Sequence, residues 1–130
     1  MNITPTSFFI FILVTFFAFI LTFSIETTIG HLAFWLDEVS SLLTLNDIAH
    51  YTFGGIIIPL FLYPPGFKLL AHILPFRYII AFPLEIISNS IKPQQIIYGI
   101  FIQLAWITFF SFCSSLLWKK GIVKYSAFGG

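Results

Sequence analysis

The stretch FFIFILVTFFAFILTF, residues 8–23, decides the fold. It contains no charged side chain, and Thr15 and Thr22 are its only polar residues. With its flanks it exceeds the roughly 20 apolar residues that carry a helix across a bilayer core. Lipid offers no partner to a backbone N–H or C=O, so a segment at that depth is a helix or part of a closed barrel. Barrel strands alternate apolar and polar residues. This run does not alternate, and it predicts a spanning helix over residues 7–34. A cleaved leader would carry a basic region before the apolar run and small residues at a cleavage site after it. Neither is present, so the segment reads as a retained anchor.

The rest of the chain has the same character. Its 130 residues are 58% apolar and 20% aromatic, with eighteen phenylalanines, and only 8% are charged. A soluble domain carries about 25% charged residues. Disorder demands low hydrophobicity and high charge, the opposite of this composition. The formal charge of +1 gives no basic patch for a nucleic-acid backbone. Cys113, the single cysteine, cannot form an internal disulfide and lies in an apolar run, where a thiol packs as a small hydrophobe. These bounds leave an integral membrane protein.

Charge spacing supplies the organisation. Two further uncharged gaps, residues 48–67 and 93–118, predict a second span over about 42–63 and a third over about 93–118. Trp35, Asp37 and Glu38 between the first two spans suit an interfacial turn. Pro64 and Pro65 remove two backbone donors and disfavour helix before them, so the second helix is expected to stop there. Residues 66–90 are apolar yet hold Lys68, Arg77 and Glu85, with Pro75 and Pro83 between them. One spanning helix here would bury Arg77 at about 2.5 kcal/mol or more. Two short helices over 67–74 and 76–88, dipping in and returning, avoid that cost. The expected fold class is therefore an all-α integral membrane protein, one unit over 1–130, with three transmembrane helices and two short re-entrant or interfacial helices between the second and third. Lys119, Lys120 and Lys124 after the last span place the C-terminal tail, 119–130, in the cytoplasm of a multi-pass plasma (cell inner) membrane protein. The N-terminus and 66–90 then lie outside.

Several of these segments resemble the ABC-2 type transporter permeases, specifically the bacterial six-helix permeases. GGIIIPLFLYPPG, residues 54–66, looks like that family's penultimate helix running into its extracellular break. LPFRY at 74–78, then Phe82, Pro83 and Glu85, look like the two re-entrant helices that follow. WKKGI at 118–122, YSA at 125–127 and GG at 129–130 look like the cytoplasmic C-terminal signature, and GHLAFW at 30–35 fits the cytoplasmic end of the fourth helix. By this resemblance Pro64, Pro65, Gly66, Pro75, Phe76 and Pro83 shape the re-entrant break, and Arg77 and Glu85 border a substrate pathway; the competing reading, and the favoured one, makes Glu85 an interfacial residue wetted by headgroups. The family's chains are about twice this length, with three earlier helices that include the coupling helix facing the ATPase. The resemblance thus implies a C-terminal permease half of an ATP-driven exporter. Its partners are membrane lipid, an ABC ATPase subunit, and a second permease chain or an N-terminal half. A truncated, non-transporting membrane protein that packs with other helices is the alternative.

The remaining chemistry is sparse. No G-x-x-x-x-G-K-[ST] occurs, so no P-loop cofactor site is expected in this chain and ATP would bind the partner subunit. His31, His50 and His72 lack ligand spacing for a metal. No nucleophile elbow or catalytic carboxylate pair supports an enzyme. Asp47 and His50 share a helical face and read as an interfacial hydrogen-bonded pair, and Ser111 and Ser115 have the small-residue spacing of a helix contact. Asn2, Ile3 and Thr4 form a glycosylation tripeptide by chance.

Overall fold

Thr4 begins the first helix in the computed structural model, which describes residues 4–129. Its hydroxyl accepts from the Ser7 N–H at 3.3 Å, and Pro5 occupies the first helical position, where a missing donor costs nothing. Asn2, Ile3 and Gly130, which belong to the tripeptide and tail expected above, lie outside the described residues. Helix α1 runs Pro5–His31 and continues as a 3-10 turn over Leu32–Phe34. Helix α5 runs Pro93–Gly129, so the tail expected after residue 118 is a continuation of the helix. Among the described residues these are the two helices long and apolar enough to cross a membrane. A core helix of a soluble protein would be mostly buried, but the most apolar windows of α1 and α5 are only 28% and 11% buried within the chain. Phe9, Phe19 and Phe101 are each about two-thirds exposed, a surface that suits lipid.

The two long helices run in the same direction. Ser24 meets Ser111, Thr28 donates to the Phe110 carbonyl, His31 meets Ser114 and Gln103 donates to the Val14 carbonyl. The sequence offset in these contacts stays between 82 and 89 residues, whereas antiparallel neighbours would hold a constant sum instead. Ser111 and Ser114 meet α1 while Ser115 faces outward, so only the first member of the expected Ser111–Ser115 stripe lies in the contact.

Between them the expected continuous second span does not form. Helix α2 covers only Ser40–Phe53, about 21 Å of helix. Its stop is set by Gly54 and Gly55 rather than by Pro64 and Pro65: Gly55 has φ +80°, a left-handed conformation that glycine takes without the strain a Cβ brings. A short 3-10 turn, Leu60–Leu62, leads to α3, Pro65–Ile73. Pro64 is extended, as its neighbour demands, and Pro65 opens α3, so this pair starts a helix. Leu74 is extended before Pro75, and a 3-10 turn over Pro75–Tyr78 leads to α4, Ala81–Ile87. Pro83 sits in the first turn of α4, where no intrahelical donor is required of it. Asn89, at φ 54°, ends α4. The Ser90 N–H reaches the Glu85 carbonyl and the Asn89 N–H the Ile86 carbonyl, a Schellman closure with asparagine in the usual glycine place.

The core is small and off-centre. Val14, Leu21 and Ile25 of α1 pack against Tyr78, Phe82 and Ile86. Phe82 lies so close to Gly99 of α5 that a Cβ there would come within 2.3 Å of two of its ring carbons.

Candidate functional site

Residues 65–89 form a hairpin that enters beside α5 and returns beside α1. Trp106 Nε1 donates to the Ile73 carbonyl at 2.9 Å, and Gln103 Nε2 donates to the Tyr78 carbonyl at 2.9 Å, so the tip lies level with Gln103 and Trp106. At the other end Ser7 donates to Asn89 Oδ1 at 3.0 Å, level with the start of α1. Counted from Pro93, the tip sits about 15–20 Å along α5. Helix α2 reaches the same tip from the opposite end. The His50 ring lies 6.5 Å from the Phe76 ring, and Gly54 faces the Phe76 carbonyl.

Broken helices expose carbonyls at their ends that need partners. Side-chain donors meet several of them. Tyr63 Oη donates to the Thr52 carbonyl at the end of α2, 2.7 Å away. Tyr78 Oη and Trp106 Nε1 take the last carbonyls of α3, on His72 and Ile73. Gln103, fully buried, directs its amide nitrogen to Val14 and Tyr78 at once, joining α1, α5 and the tip. Two carbonyl partners fix which end of that amide is nitrogen.

The two ionisable residues of the hairpin are brought together. Arg77 Nη2 lies 2.6 Å from Glu85 Oε2, with side chains 10% and 26% exposed. The pair lets the 3-10 turn carry a guanidinium inward without leaving a bare charge. Arg77 also lies 5.5 Å from the centre of the Tyr78 ring, and its Nε has no hydrogen-bond partner. Phe76 and Pro75 are at the tip, Pro83 is buried in α4, and Pro64, Pro65 and Gly66 are exposed at the far end of α3. The expected Asp47–His50 hydrogen bond is absent among the described residues. His50 instead packs against Tyr51 and Phe76. Gln103, Trp106, Tyr78, Gly99 and Asn89 do as much to hold the site as the residues singled out in the sequence. An uncharged glutamine inside an apolar span is the one signal that could have pointed to them.

A cavity of about 600 Å³ opens between α3, α4 and the first turn of α5, and Arg77 and Glu85 line it. At the opposite end of the long helices His31 lies between Ser114 and Trp118, and the Phe34 ring rests on Gly121. Lys124 lies 5.9 Å from the centre of the Trp35 ring.

Two long apolar helices with outward-facing phenylalanines, and a helical hairpin whose buried ends are capped by side chains, define an all-helical membrane protein. Residues 1–129 match the family model described as ABC-2 family transporter protein, and the chain belongs to that family. Members are membrane components of ABC transporters that work with an ATPase subunit and are not themselves enzymes. No curated protein and no solved structure matches the chain.

Proposed function

We propose that this chain is the C-terminal membrane half of an ATP-driven ABC-2 exporter in the plasma membrane, with nucleotide bound and hydrolysed by a separate subunit. The parallel course of α1 and α5 is the observation that carries the reading. Two parallel spans require the chain between them to cross back once, and α2 with residues 54–64 makes that return. The result is three crossings, α1 and α5 both ending in the cytoplasm, with the α3–α4 hairpin dipping in from outside. Lys119, Lys120 and Lys124 follow the last crossing, in keeping with the positive-inside rule. Three crossings enclose no path for a polar solute, so a further permease segment completes the conduit. The Arg77–Glu85 pair borders its outer end.

Tagged chain, extracted from its own membranes in mild detergent, should purify with a P-loop ATPase and further permease helices. That complex should hydrolyse ATP at a vanadate-sensitive rate. A chain that purifies without any ATPase contradicts the proposal and favours the non-transporting alternative.

A further inference from the structure

The cavity between α3, α4 and α5 is lined by both charged and apolar side chains. Lys68, His72, Arg77 and Glu85 line it together with Phe61 and Leu84. Among the described residues the Arg77–Glu85 contact is the one ion pair. Lys68 therefore has no counter-ion, and the pocket holds one more positive than negative charge before His72 is counted. His72 Nδ1 lies 2.7 Å from the Lys68 carbonyl and donates to it, which leaves Nε2 uncommitted. Arg77, about nine-tenths buried, bonds Glu85 through Nη2, and its Nε is closed off from solvent, so its terminal Nη hydrogens are the ones that face the cavity. A guanidinium carries five N–H donors, and an oxyanion with several lone pairs satisfies them better than water can in a partly dry site. Phe61 and Leu84, 74% and 55% exposed, extend the cavity into a surface that suits acyl chains. A volume of about 600 Å³ lies within the range of pockets that hold small molecules.

We propose that this cavity binds the phosphate headgroup of an anionic lipid, with Lys68 and Arg77 on the phosphate and the acyl chains against Phe61 and Leu84. Glu85 competes with the phosphate for Arg77, so occupancy loosens the contact that closes the hairpin. The outward position of the site rests on the crossing proposed above; the binding does not.

Native mass spectrometry of the purified full chain in detergent tests the site apart from sidedness and transport. With phosphatidylglycerol and phosphatidylcholine supplied equally, the chain should retain phosphatidylglycerol preferentially. Lys68→Gln should weaken that preference about tenfold, the loss of one charge-assisted hydrogen bond, and Glu85→Gln should strengthen it. Lys68 is exposed, so its variant keeps the test valid even if Arg77→Gln fails to fold. Lys120→Gln, at the opposite end of α5, should change nothing. Inorganic phosphate at millimolar concentration should not displace the lipid. Full displacement would assign the site to a free anion and overturn the lipid proposal, as would equal retention of both lipids or a Lys68→Gln variant that keeps the preference.

Discussion

Arg77 and Glu85 are eight residues apart in sequence and bonded in space, and each makes the other tolerable at depth. Removing one partner leaves an uncompensated charge, a loss of about 3–5 kcal/mol for a buried pair, whereas removing both restores an apolar contact. Arg77→Leu should therefore lower the thermal unfolding midpoint in detergent, followed by tryptophan fluorescence, and Arg77→Leu with Glu85→Leu should recover most of it. Neutral single variants would mean that the pair is solvated. Gln103→Leu should cost about 1–3 kcal/mol, because the Tyr78 carbonyl loses its donor inside the protein. Arg77 and Glu85 stood out singly in the sequence because charges are rare in this chain, but their pairing appears only in the structure. Gln103 did not stand out, since its run has the apolar character of any spanning helix and nothing in one dimension shows three backbones meeting at one amide.

The helical elements follow their proline and glycine signals unevenly. The existence of α1, α5 and a broken middle was plain from charge gaps and prolines. The end of α2 was not, because a Gly-Gly pair inside an apolar run is compatible with a continuing helix until the left-handed φ of Gly55 is seen. It follows that Pro64→Leu with Pro65→Leu should not lengthen α2, which has already ended ten residues earlier at Gly54. That variant should insert and melt close to the parent, within about 1 kcal/mol, whereas Gly55→Ala should lose about 1–2 kcal/mol to left-handed strain. The reverse ranking would restore the proline pair as the break. Gly99→Ala gives a sharper sign test. In an open helix the change gains about 1 kcal/mol, but here the new methyl meets the Phe82 ring, which is 1% exposed and wedged against α1. Overpacking of about 1–3 kcal/mol should win, and the variant should melt lower than the parent.

At the scale of the whole molecule, the long helices overreach the bilayer. Helix α5, at 37 residues, is about 55 Å long against a core of about 30 Å. The surplus lies at the C-terminal end, where Lys119, Lys120 and Lys124 follow Trp118, and the stack of Phe34 on Gly121 ties it to α1. Composition made the membrane setting legible. The three-span reading of the sequence already implied a shared direction for α1 and α5, and contacts between residues more than eighty positions apart show it. The proposed return crossing by α2 and the proposed re-entrant course of the α3–α4 hairpin both rest on that direction. Its most direct test is labelling of single cysteines by a membrane-impermeant maleimide in intact cells, in a Cys113→Ser background. Thr6→Cys at the start of α1 and Gly66→Cys on the hairpin should react from outside, and Tyr125→Cys near the end of α5 only after permeabilisation. Equal reaction of Thr6→Cys and Tyr125→Cys from the same side would make the long helices an antiparallel two-span hairpin and contradict the account.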